Sequence, residues 1–154
     1  MSSVSIVFNT RPYSEGLEEL LERYDDLGDV MDDIGAYMVR SIQNRILRLK
    51  RDPKNNQRWA PLKESTIRRK GHASILFDSG ELADSIDITN ADERGFTVSA
   101  GADHAGYMQF GTTGKRATPA RPFIGFSETN KRRVSRMLRD YLAEGATNFY
   151  GDAE

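Results

Sequence analysis

The sequence predicts an α+β fold in which a long N-terminal helical segment packs on a small antiparallel β-sheet and a helix closes the chain. Three observations predict it. Apolar residues recur every three or four positions from 17 to 49 (Leu17, Leu20, Leu21, Tyr24, Leu27, Met31, Ile34, Met38, Ile42, Ile46 and Leu49), which is one helical face. Short runs at 4–8, 86–89 and 96–100 instead alternate apolar with polar residues, the period of a half-buried strand. Helices and strands are also segregated along the chain, which favours antiparallel pairing over βαβ units. The 154 residues suit one domain, expected at 1–145, with 146–154 as a loosely held tail.

The elements follow in order. Val4, Ile6 and Phe8 make the first strand, ended near Arg11-Pro12, and Ser14 is placed to cap a helix whose first turns carry Glu15, Glu18 and Glu19. Gly28 divides the helical stripe into a short and a long helix. A glycine inside a helix costs about 1 kcal/mol against alanine, so Gly35 predicts a close packing contact. Asp52-Pro53 is expected to stop the long helix. A loop with one short helix at 63–70, ended by Gly71, comes next. Asp78 and Glu81 have capping-box spacing before a short helix reaching about Ser85. Ile86 and Ile88, then Phe96, Val98 and Ala100, form a hairpin across a connection at 90–95. Residues 111–119 read as an exposed loop and 122–126 as an extended segment. Ser127 caps a final helix with the stripe Val134, Met137, Leu138, Tyr141 and Leu142, stopped by Gly145.

Charge is neutral in total and uneven in place. The formal net charge is −1, which excludes a generally basic nucleic-acid binder. Along the chain, residues 15–33 carry −8, 40–70 carry +9, 78–103 carry −6 and 115–139 carry +7. Such blocks either neutralise each other within one fold or meet across copies of the protein, since complementary potentials orient association. Arg132, Arg133, Arg136 and Arg139 share the last predicted helix and are the candidate DNA-facing residues. No apolar run is long enough to span a membrane, and the opening Met-Ser-Ser-Val-Ser lacks the pattern of a secretory signal.

Catalytic and metal chemistry find little support. The chain has no cysteine, and His72 and His104 lack the spacing of a metal pair, so neither metal nor cofactor is expected. Asp78-Ser79-Gly80-Glu81 is not a G-x-S-x-G elbow, and Gly111-Thr112-Thr113-Gly114-Lys115 has the wrong spacing for a phosphate loop. Asp25-Asp26 and Asp32-Asp33 are adjacent on a helix and point apart.

Two segments have unusual chemistry. In one, Trp59 is pinned beside Pro61. In the other, Gln109, Phe110 and Gly111 precede the exposed loop, and Pro119-Ala120-Arg121-Pro122-Phe123 follows it. Two prolines stiffen that stretch, and a stiff extended segment bearing Arg and Phe can anchor another chain or feed a core strand. On these grounds Trp59, Gln109, Phe110, Gly111, Pro119, Arg121, Pro122 and Phe123 are the expected subunit or partner contact.

Together these segments resemble the phage virion morphogenesis family. The resemblance rests on Trp59-Ala60-Pro61-Leu62 with Ser65-Thr66 and Lys70, on Leu76 with Ser79-Gly80-Glu81-Leu82 and Ser85-Ile86, on Gln109-Phe110-Gly111, and on Pro119-Ala120-Arg121-Pro122-Phe123-Ile124-Gly125 with Ser127. Asp33-Ile34-Gly35 and Arg40-Ser41 also fit, so it covers about residues 30–142. One departure is Met108, where the family often has His before the glutamine. The resemblance implies a head–tail connector-like fold and a non-enzymatic protein that completes the phage tail and joins it to the head at the neck. It implies a homo-oligomeric ring, with a hexamer as the first expectation, and other neck and tail proteins as partners. Residence in the virion and assembly in the bacterial cytoplasm without a membrane also follow from it, while the four arginines of the last helix leave as the alternative a nucleic-acid-binding module, or a neck protein that lines the DNA passage with passing contact to genomic DNA.

Overall fold

A computed structural model of the chain describes residues 4–7, 27–92, 95–115 and 117–147. The expected Ser14 cap, the short helix before Gly28 and the turn at Arg11-Pro12 lie outside the described residues, as do positions 148–154 of the expected tail. Strands β1 (Val4–Val7), β2 (Ile86–Asp92) and β3 (Gly95–Ala100) form one antiparallel sheet in the order β1-β3-β2. Val4 pairs with Val98 and Ile6 with Phe96 on one side of β3, while Ile86 pairs with Ala100 and Ile88 with Val98 on the other. The hairpin is as expected, except that β2 runs three residues further, past a bulge between Ile88 and Asn90.

Helix α1 (Gly28–Asn44) lies across β2 and β3 and also meets the C-terminal helix. Its buried residues Met31, Ile34, Met38 and Ile42 belong to the predicted stripe, Val30 is buried beside them outside that stripe, and all join Ile86, Phe96, Val98, Phe123 and Val134 in the core. Gly35 makes the close approach expected of it. A Cβ there would stand 2.7 Å from Ile88 Cδ1, so α1 rests on the sheet at a distance that leaves only the tip of Ile88 to give way. The helix does not run on to Asp52-Pro53. It widens into a π-helical turn at Arg45–Leu49, closed by a bond from the Lys50 amide to the Arg45 carbonyl, and Lys50 then turns left-handed at φ 54°. The wider turn carries Leu49 off the apolar stripe, so this expected core residue is exposed.

The remaining helices are α2 (Glu64–Lys70), α3 (Glu81–Asp84), α4 (Ala105–Phe110) and α5 (Glu128–Thr147). Gly71, at φ 78°, ends α2 as expected. The capping box expected at Asp78 and Glu81 is absent, because Gly80 holds the cap position at φ 100° and the Asp78 carboxylate turns instead toward His72, 3.8 Å away. A reciprocal cap of that kind forms at α5. The Asn130 amide donates to Ser127 Oγ at 3.1 Å, and the Ser127 amide donates to Asn130 Oδ1 at 3.1 Å. Helix α4 has no counterpart in the sequence reading. Helix α5 passes through Gly145, the expected stop, and ends at Thr147, since one helical glycine costs only about 1 kcal/mol. Of its expected stripe, Val134 is buried and Met137, Leu138 and Tyr141 pack against the core, whereas Leu142 is exposed.

Candidate interaction site

The segment from Pro119 to Gly125 has no strand partner, so its backbone polar groups must be met in other ways. Two of its residues are prolines and carry no N–H. The Arg121 amide donates to the Met108 carbonyl at 2.8 Å. Gln109 acts as a surrogate strand edge: its Oε1 accepts from the amides of Phe123 and Ile124 at 2.9 and 3.0 Å, and its Nε2 donates to the Ile124 carbonyl at 3.0 Å. Trp59 Nε1 donates to the Pro122 carbonyl at 2.9 Å. Arg45 Nη1 serves two carbonyls, Phe123 at 2.5 Å and Gly125 at 3.1 Å. Side chains from the π-helical turn, from α4 and from Trp59 therefore hold the segment extended, and its Phe123 is fully buried.

Two guanidiniums inside this brace face oxygens that carry no formal charge. Arg121, 4% exposed, donates through Nε to the Ala60 carbonyl at 3.0 Å and through Nη2 to the Pro61 carbonyl at 3.2 Å. Arg45 adds a bond from Nη2 to Asn130 Oδ1 at 2.9 Å. Burial pushes Arg45 down to about 10 and Arg121 below its ordinary value. Asn130, 2% exposed, also donates to Tyr37 Oη at 2.9 Å and Ser41 Oγ at 2.7 Å, which ties α5 to α1. Lysines work in the same way. Lys50 donates to the carbonyls of Ile46 and Ile75, and Lys70 to those of Ser74 and Phe77. Part of the +9 block is thus spent on fastening loops.

Beside the braced segment lies an open groove of about 680 Å³, walled by α2, the 76–82 loop and turn, α4 and residues 115 and 117–119. Leu62, Leu76, Phe77 and Met108 supply apolar surface to it, and Arg69 and Lys115 supply exposed positive charge.

The structure sorts the eight expected contact residues by burial. Trp59, Arg121 and Phe123 are buried within the subunit, and Gln109, Gly111 and Pro122 are half-buried. Phe110, 61% exposed, and Pro119 are the accessible members, with Tyr107 exposed one turn before Phe110 on α4. Gly111 is needed for shape: at φ 74°, a Cβ would stand 2.7 Å from the Ala120 nitrogen. Arg132, Arg133, Arg136 and Arg139 are all exposed on α5, away from the face carrying Asn130 and Val134. The sequence reading missed Arg45 and Asn130. Their phase was the available signal, since Arg45 falls three residues after Ile42 and Asn130 four before Val134, both within apolar stripes. Ion pairs join the sequence neighbours Arg68 with Glu64 and Lys131 with Glu128, and His72 Nε2 lies 3.8 Å from the Asp78 carboxylate. None of these three contacts joins two of the opposite blocks.

The order of these parts, from the Trp59 loop to the proline-braced segment, is matched by a family profile over residues 8–143, that of the phage virion morphogenesis family. The chain belongs to that family. The match starts 22 residues earlier than the motif resemblance, taking in most of the first acidic block. No curated protein and no solved structure matches the chain. Membership gives the protein a structural role in virion assembly, with other phage proteins as partners. Met108 contributes its carbonyl to the Arg121 amide and its side chain to the groove. No helix among the described residues is long and apolar enough to cross a membrane.

Proposed function

We propose that this protein is a non-enzymatic, single-domain component of the phage neck, where identical subunits form a ring that completes the tail and joins it to the head. The family match over residues 8–143 carries the reading. The alternating charge blocks and the accessible Phe110 and Pro119 beside a rigid segment support contact between subunits. A ring of six is the size to test first. Deleting the gene should leave cells with tails and filled heads that fail to unite, as seen by electron microscopy. Normal virions from the deletion would end the proposal.

A second reading comes from α5. Arg132, Arg136 and Arg139 are spaced by one and two turns and exposed, with Arg133 beside them, so this face is suited to phosphates passing through the ring. Duplex DNA should then shift in a mobility assay at low salt, with a steep salt dependence, and no shift at low salt would exclude it.

A further inference from the structure

The groove and the first acidic block carry complementary chemistry. The groove combines an apolar surface from Leu62, Leu76, Phe77 and Met108 with exposed cations at Arg69 and Lys115. Lys63 and Lys70 add positive charge, and Asp78 and Glu81 are the acids along its lining. A DNA backbone would not use the apolar floor, whereas an acidic amphipathic helix would use both features. The sequence offers such a helix at residues 14–26. There, Leu17, Leu20, Leu21 and Tyr24 follow a helical stripe, and six acids stand against the single base Arg23.

The position of the groove argues for a neighbour's segment. Segment 14–26 leads through Leu27, which is half-buried against its own subunit's core, into Gly28 at the N-terminal end of α1. The groove wall is fastened to the other end: Gln43 Nε2 donates to the Ala83 carbonyl at 3.2 Å, next to Leu82, and Lys50 donates to the Ile75 carbonyl, next to Leu76. Seventeen residues of α1 separate the two, about 26 Å. The point where the acidic segment joins the fold and the basic groove thus lie at opposite ends of α1, which suits a heterologous contact that closes into a ring when the rotation permits.

We propose that the acidic segment 14–26 of one copy docks in the Arg69–Lys115 groove of the next, making this the repeating contact between subunits. The proposal rests on the reading of the chain as a ring subunit. Two full-length variants test it by sedimentation velocity: Arg69→Glu with Lys115→Glu in the groove, and Glu18→Lys with Glu22→Lys in the segment. Arg69 and Lys115 are exposed and make no bond in the internal brace, so the folded subunit, checked by circular dichroism, should persist. The wild type should self-associate, less so at high salt. Each variant alone should associate about tenfold or more less tightly. An equimolar mixture of the two should regain wild-type association, because each reversed surface meets its complement, and so should one chain carrying all four changes. Wild-type association unchanged in both variants would overturn this contact and leave the ring reading standing. A wild type that stays monomeric would remove both. Lowered thermal stability in each variant without rescue on mixing would place the segment on its own groove and overturn the contact between copies.

Discussion

Asn130 is the point at which α5, α1 and the braced segment are tied together, and its replacement by alanine has a calculable cost. The change removes the acceptor of Arg45 Nη2, of the Ser127 amide and of Ser127 Oγ, and the donor to Tyr37 Oη and Ser41 Oγ. A buried cationic donor left without its acceptor costs about 1.5–3 kcal/mol, and loss of the reciprocal cap about 1 kcal/mol. The two hydroxyls are half-buried and can turn to water, adding a smaller amount. The sum is about 3–5 kcal/mol, a fall in Tm on the order of 10 °C for a chain of this length. Asn130→Asp keeps every acceptor, its second oxygen can receive protons from both hydroxyls, and its charge faces Arg45. It should be more stable than the alanine variant by about 2 kcal/mol. Urea unfolding of the three proteins measures both differences. If alanine costs less than about 1 kcal/mol, or aspartate does no better than alanine, the brace does not hold the fold as described.

The two tight glycines should respond differently to alanine. Gly111→Ala meets backbone atoms at 2.7 and 2.8 Å in a left-handed conformation, so a loss of about 2–4 kcal/mol is expected, whereas Gly35→Ala meets the movable tip of Ile88 and should cost under about 1 kcal/mol after its gain in helix propensity; equal losses in thermal unfolding would contradict this. Arg121→Lys cannot reproduce the fork to the Ala60 and Pro61 carbonyls and should cost about 2 kcal/mol in urea unfolding, and Trp59→Phe, which orphans the Pro122 carbonyl, about 1–2 kcal/mol. Replacing Arg132, Arg133, Arg136 and Arg139 together by alanine should leave thermal stability nearly unchanged, because all four are exposed, while abolishing any low-salt DNA shift. A large loss of stability would show that this face is packed.

Local periodicity made much of the fold legible. The stripe from Met31 to Ile46, the alternation at Ile86–Ile88 and Phe96–Ala100, the tight contact at Gly35 and the Gly71 cap all appear in the structure, because each depends on residues within a turn or two, or on one face meeting another. Errors arose where a local signal had a stronger distant competitor. Asp78 had capping-box spacing and found His72, and Leu49 had the right phase and was carried off it by a π-turn. Helix α4 follows no extended apolar stripe, and its Gln109 is employed by a backbone 14 and 15 residues away.

By itself the sequence determined the α+β class, the periodic elements, the uneven charge and, through Gln109-Phe110-Gly111 and the proline-flanked Arg121, the family. Tertiary structure decided what those polar residues do. Arg45 and Asn130 are 85 positions apart, and Arg121 lies 60 and 61 positions from the carbonyls it bonds. A buried donor must find an acceptor wherever the fold supplies one, so no spacing in the chain announces the pair. For the same reason, residues that read as anchors for a neighbour, Trp59, Arg121 and Phe123, are held inside the subunit, while the groove beside them exists only because α2, α4 and two loops meet there.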